Sequence, residues 1–167
     1  MIRIVIAEDQ EMLLGTIGSL LNLEDDMEVV GQARNGKEAL WLVEEMKPDI
    51  CIMDVEMPQM SGLEAAEALK ESACKVIIMT TFARDGYFLR ARNADVRGYL
   101  LKDNPSEELV DAVRLIIEGK RIFEPDLADD AVKSDMDPQV NMLEEEKVVL
   151  RPTPIRAVKN YLSNIVS

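Results

Sequence analysis

The stretch Asp49-Ile50-Cys51-Ile52-Met53-Asp54-Val55-Glu56-Met57-Pro58-Gln59-Met60-Ser61-Gly62 decides how the chain is read. An apolar run from Ile50 to Met53 leads straight into an ionisable residue. Pro58 and Gly62 then turn the chain into a helical pattern that begins near Ser61. A short uninterrupted apolar run bounded by turn residues predicts a strand buried on both faces. Such a strand delivers one carboxylate, Asp54, to its C-terminal end. In an open parallel sheet the exits of the strands form the crevice where ligands bind.

On the N-terminal side, Ile2 to Ala7 is a first apolar strand that ends on Glu8 and Asp9. The segment from Met12 to Leu21 puts Leu13, Ile17, Leu20 and Leu21 on one helical stripe. A second strand, Met27 to Gly31, precedes a helix from Lys37 to Met46 that Pro48 stops. On the C-terminal side a helix runs from Ser61 to about Ser72, and the strand Lys75 to Thr81 ends on hydroxyls. A weaker helical pattern covers Asp85 to Asn93, and the strand Gly98-Tyr99-Leu100-Leu101-Lys102 ends on a cation. Asn104 as N-cap, Pro105 at the first helical position and Glu107 as capping partner start a fifth helix. Leu109, Val113 and Ile116 form its buried stripe, and Gly119 ends it. Strands alternating with helices in this way predict an α/β fold, a doubly wound five-stranded parallel sheet with flanking helices.

The organisation expected is a domain over 1–121, a linker over 122–138 and a tail over 139–167. From Glu124 to Asp137 the composition turns acidic and small, with Pro125 near its start and Pro138 just beyond. The tail holds two short helical patterns split by Arg151-Pro152-Thr153-Pro154, a spacing that forbids one continuous helix.

Composition narrows the chemistry. A net charge of −13 argues against bulk electrostatic binding to nucleic acid or to an anionic membrane surface. With no His in the sequence, His-based triads, His general bases and most zinc sites are excluded, which leaves carboxylates, hydroxyls and Lys. Cys51 and Cys74 each lie in or beside an apolar strand run and read as small buried thiols. The chain enters a strand within two residues and has no apolar run of membrane-spanning length, so a cytoplasmic location is expected.

Glu8, Asp9, Asp54, Thr80 and Lys102 each fall at or just past the C-terminal end of a strand, and a parallel sheet gathers those ends. Singly, each is an ordinary loop or cap residue. Together they hold the parts for acyl phosphate chemistry. Three carboxylates repel one another unless a divalent cation joins them, and Mg²⁺ takes one or two carboxylates, waters and a phosphate oxygen. Asp54 is then the nucleophile. Lys102 supplies a cation for the phosphoryl oxygens, and Thr80 supplies a hydroxyl donor.

This set resembles the receiver domains of bacterial two-component response regulators. The likeness runs from Met1 to Arg121 and rests on Glu8-Asp9, on Asp54-x-x-Met57-Pro58-x-x-x-Gly62, on Thr80, and on Gly98-Tyr99-Leu100-Leu101-Lys102-Asp103. The resemblance implies a flavodoxin-like sheet of strand order 2-1-3-4-5. It also implies Asp54 as phosphoacceptor, with Asp9, Asp54 and the backbone carbonyl of Glu56 as Mg²⁺ ligands and Glu8 acting on the metal through water. Thr80 and Tyr99 resemble the family's switch pair, although Tyr99 reads equally well as a half-buried strand aromatic. The implied role is that of a response regulator and not an enzyme. It would receive its phosphoryl group from a sensor histidine kinase and form a homodimer on phosphorylation, ancestrally to regulate transcription. The first thirty residues most resemble a Bacillus branch of the family, which implies a membrane thermosensor kinase as partner and a fatty-acid desaturase gene as target. Where the family carries Ala-Gly before the fifth strand, this chain has Ala94-Asp95. A left-handed Asp95 would cost roughly 1 kcal/mol relative to Gly.

The tail resembles the NarL/LuxR type of helix-turn-helix domain only in pieces. Glu146 to Leu150 is similar to its first helix and Ile155 to Val166 to its recognition helix, with Arg156 and Lys159 as candidate DNA contacts. Only Arg151-Pro152-Thr153-Pro154 stand where the family has a scaffold helix and turn, so a short α-helical remnant is expected, with DNA bound only if it is functional. The other readings are a stand-alone receiver or phosphate sink, and an aspartate-nucleophile phosphatase. Such phosphatases carry Asp-x-Asp after the first strand, where this chain has Ala7-Glu8-Asp9-Gln10. Gly31-Gln32-Ala33-Arg34-Asn35-Gly36-Lys37 matches most of a phosphate-binding loop, but Glu38 stands where a Ser or Thr is required.

Overall fold

A computed structural model of the chain describes residues 1–81, 84–102, 107–124 and 148–150. The strands are β1 (Ile2–Ala7), β2 (Met27–Ala33), β3 (Ile50–Asp54), β4 (Lys75–Thr80), β5 (Gly98–Leu101), β6 (Arg121–Phe123) and β7 (Val148–Leu150). The helices are α1 (Glu11–Asn22), α2 (Gly36–Met46), α3 (Gly62–Ala68), α4 (Tyr87–Asn93) and α5 (Glu107–Ile117). The sheet has the order β2-β1-β3-β4-β5-β6-β7, and every pairing in it is parallel. Its first five strands have the expected order.

Alternation along the central strands divides the core into two layers. Val5, Ala7, Cys51, Met53, Val76, Ile78 and Tyr99 face α2, α3 and α4. Their neighbours Ile4, Ile6, Ile50, Ile52, Ile77, Met79 and Leu100 face α1 and α5. Because both faces are covered, the strands carry uninterrupted apolar runs, and β3 is buried at every position. The buried stripe of α1 is centred on Leu14, Ile17 and Leu21, with Leu13 and Leu20 only at its margin. In α5 the stripe is Leu109, Val110, Ala112, Val113 and Ile116. Asn104 and Pro105, expected at its start, lie outside the described residues.

Two strands were not expected. Ile122 and Phe123, assigned to the linker, form β6 beside β5 and are buried at 0% and 8% exposure. Two apolar residues of opposite facing complete both layers at once, and that burial outweighs their nearness to an acidic segment. Val148 to Leu150, read as part of a helix, is instead the strand β7 on the outer edge of β6. Two adjacent β-branched valines favour extended backbone, and the edge of β6 offers unpaired N–H and C=O groups to receive it. The rest of the tail, Arg156 and Lys159 included, lies outside the described residues.

Asp95 takes the left-handed conformation, with φ of 59°. Its carboxylate accepts hydrogen bonds from Arg97, at 3.3 Å, and from the Arg121 guanidinium of β6. These contacts give an Asp a function at a position that Gly otherwise fills, since they tie the end of α4 to β6.

Candidate functional site

Sheet register assembles the site. Ala7 lies opposite Met53, so Glu8 and Asp54 leave the sheet side by side. Asp54 lies opposite Met79 and Thr80 opposite Leu101, so Thr80 and then Lys102 come out at the same edge. This is also where the winding reverses, because β1 leads to β2 on one side while β3 leads to β4 on the other.

The loop after β3 is held by close backbone packing. Gly62 N–H donates to the Val55 carbonyl at 2.9 Å, and a Cβ at Gly62 would stand 2.0 Å from the Asp54 carbonyl oxygen. No residue with a side chain fits there without moving the backbone of Asp54 itself. Ser61 and Glu64 cap α3 reciprocally, at 3.1 Å each. The neighbouring Gly31 to Lys37 segment uses its donors internally: Asn35 accepts from Glu38 N–H at 2.9 Å, Glu38 accepts from Arg34 N–H at 2.8 Å, and Gly36 N–H bonds Met60 O. It is the cap of α2 and not an open phosphate cradle.

Lys102 stands at the centre of the crevice. Its Nζ lies 2.8 Å from Glu8 Oε2 and 2.9 Å from Asp54 Oδ2, and none of the three side chains is more than 8% exposed. Burial pushes the carboxyls of Glu8 and Asp54 above their ordinary range, against the pull of the Lys102 hydrogen bonds. Burial also opposes the charge on Lys102, but its bonds to Glu8 and Asp54 win and hold its pKa up. Glu8 further accepts from Gln10 N–H at 3.0 Å, and Glu56 N–H points at Asp54 Oδ1 from 3.4 Å.

Asp9 is exposed at the rim, and one oxygen from each of Glu8, Asp9 and Asp54 lies within 4.8 Å of the others. Three carboxylates served by one buried ammonium leave an excess of negative charge on hard oxygen donors, the set that Mg²⁺ takes. Thr80 is 4% exposed, and its carbonyl accepts from Lys102 N–H at 2.9 Å. The Tyr99 ring is wholly buried, not half-buried, and meets Phe88 edge-on at 5.6 Å. The sequence reading did not foresee the ion pair of Arg84 with Glu56 at 2.9 Å. A cavity of about 570 Å³, lined by Val43, Lys47, Asp49, Leu69, Cys74 and Lys75 among others, lies where the strands begin. It does not reach the carboxylate cluster, and the chemistry is assigned to the other end of the sheet.

The chain matches the family model of the response regulator receiver domain over residues 4–114. It is 59% identical to the transcriptional regulatory protein DesR of Bacillus subtilis over 150 residues, covering 90% of this chain and 73% of that protein. It is equally identical, 59% over 129 residues, to the uncharacterized transcriptional regulatory protein YvfU of the same organism, covering 76% of this chain and 64% of that one. Among solved structures, a DNA-binding response regulator of the LuxR family from Staphylococcus aureus is 40% identical, with a TM-score of 0.67, covering 70% of this chain and 99% of that one.

The raised pKa of Asp54 carries a sign that can be tested. A carboxyl whose folded-state pKa lies above its unfolded value, about 3.9 for Asp, stabilises the fold fully below that value. The contribution is lost as pH rises through the folded pKa. At neutral pH the ionised Asp54 therefore weighs against the fold, and Asp54→Asn is expected to raise the melting temperature more at pH 7 than at pH 4. Thermal unfolding of both proteins at the two pH values checks this, and a variant less stable than its parent at pH 7 would contradict it.

Proposed function

Because the chain belongs to the response regulator receiver family, we propose that it takes a phosphoryl group on Asp54 from a sensor histidine kinase and passes that state to its own surface. The observation that carries this is the pairing of one buried ammonium, Lys102, with both Glu8 and Asp54. Asp54 is the nucleophile: an Oδ oxygen attacks phosphorus in line with the leaving group. Lys102 exchanges part of its bond to Asp54 for the phosphoryl oxygens and offsets their charge. Thr80, at the end of the neighbouring strand, donates its hydroxyl to one of them.

Glu8, Asp9, Asp54 and the backbone carbonyl of Glu56 would hold Mg²⁺, which when bound offsets the carboxylate charge and screens it from the incoming phosphoryl oxygens. DesR and YvfU share the same 59% identity with this chain, over 150 and 129 residues respectively, and both are transcriptional regulatory proteins, so the likeness supports a histidine kinase as the class of partner. No helix among the described residues is long and apolar enough to cross a membrane.

The sheet supports our reading of the output. The strand β7 occupies the edge of β6, at residues read from the sequence as the first helix of a DNA-binding unit. The chain is also strongly acidic. We therefore read the output as phosphorylation-dependent self-association, with Thr80 and Tyr99 as the switch, and not as tight DNA binding.

Incubation with acetyl phosphate and Mg²⁺, followed by intact-mass measurement, tests the phosphoacceptor. One acid-labile phosphoryl group is expected. It should be abolished by Asp54→Asn or by removal of Mg²⁺, slowed by Asp9→Asn and unaffected by Glu38→Gln. Turnover of many phosphate esters without an adduct would favour a phosphatase instead.

The switch is tested by sedimentation. Thr80→Ala should leave phosphorylation largely intact while weakening the association it induces, because a bound group shifts an equilibrium only through contacts that differ between the two states. Anisotropy on operator DNA completes the test. Saturable, sequence-specific binding at roughly nanomolar concentration would restore a DNA-binding output.

A further inference from the structure

Outside the buried trio, the rim of the crevice carries more charge. Asp9 is exposed there, and Glu56, two residues beyond Asp54, turns its carboxylate outward to meet Arg84. The contact is 2.9 Å from Arg84 Nη2 to Glu56 Oε1, with each side chain 56% exposed. The backbone N–H of Glu56 lies 3.4 Å from Asp54 Oδ1, so the residue that holds Arg84 is itself a neighbour of the reacting carboxylate. The ion pair also joins the loop after β3 to the loop after β4.

A phosphodonor presents a phosphoryl dianion and must approach Asp54 against the charge of the Glu8 and Asp9 carboxylates gathered with it. Lys102 is buried and already shared between Glu8 and Asp54. Arg84, by contrast, is at the surface, and an ion pair this exposed adds little to stability, so its guanidinium changes partner at small cost. Its planar fork matches two phosphoryl oxygens.

We propose that Arg84 is a substrate-binding residue of the receiver: it is parked on Glu56 and leaves it to receive the phosphoryl group of the incoming donor. The proposal rests on Asp54 as phosphoacceptor. In the step it assists, an Asp54 Oδ–phosphorus bond forms as the bond from phosphorus to the donor's leaving atom breaks. The electron pair departs with acetate from acetyl phosphate or with ammonia from phosphoramidate, and no oxidant or reductant is required.

The test uses the full chain with Mg²⁺ and follows the rate of adduct formation against donor concentration. Arg84→Ala should raise the half-saturating concentration of acetyl phosphate about fivefold with little change in the limiting rate. Arg84→Lys should restore part of the loss. Glu56→Gln, which releases Arg84, should lower that concentration. Since Arg84→Ala and Glu56→Gln break the same ion pair, a mere tether between the two loops would make both shift in one direction, and that result would overturn the proposal. Phosphoramidate shares only the phosphoryl group with acetyl phosphate and should show the same shifts, so an effect confined to acetyl phosphate would also overturn it. An adduct that persisted with Asp54→Asn would instead strike the phosphoacceptor assignment, and this proposal with it.

Discussion

The ammonium of Lys102, buried between Glu8 and Asp54, is the contact on which the working end of the sheet depends. Two carboxylates brought together in a low-dielectric crevice repel each other, and taking each from water is costly. A single cation meets that cost only in part, as the raised pKa values of both acids show. The remaining imbalance is useful chemistry. It leaves oxygen donors short of positive charge, beside a carboxylate that is buried yet reachable, at the edge where the strands end. Replacing Lys102 by Ala would leave that charge unpaired, a change that in buried pairs costs about 3–5 kcal/mol.

Everything that positions this trio lies in the backbone. Glu8, Asp54, Thr80 and Lys102 come from separate strands, and only the parallel register makes them neighbours. The β3–α3 loop then closes against Asp54 so tightly that residue 62 has no room for a Cβ. A second consequence of the register lies on the α2–α4 face, where Tyr99 touches Phe88 and Phe88 touches Phe123, both edge-on at 5.6 Å. The proposed switch residue is thus joined through aromatic packing to β6, the strand that carries β7 on its outer edge.

Much of this was legible in the sequence. Buried parallel strands announce themselves as apolar runs, and a polar residue where such a run ends is visible without any structure; Asp54 and Lys102 were found in that way. A left-handed Asp95 was raised as a condition, because the resembling family carries Gly there, and the backbone does adopt it. What escaped was decided by contacts between distant parts of the chain. Ile122 and Phe123 are too short a run to stand out, and only the open edge of β5 makes them a strand. Val148 and Val149 lean toward extended backbone, but three residues are too few to stand out as a strand until the edge of β6 pairs with them. The Lys102 bond to Glu8 and the Arg84 bond to Glu56 depend on side-chain direction, which periodicity does not encode.

The central claim is that, of the acids gathered at this edge, Asp54 alone becomes phosphorylated. Borohydride reduces an aspartyl phosphate to homoserine and leaves free carboxylates untouched, so reduction after treatment with a phosphodonor, followed by peptide mapping, reads the acceptor directly. The account predicts homoserine at position 54 and at no other acid. Conversion at Asp9, or reduction of Glu8, with Asp54 intact would contradict it.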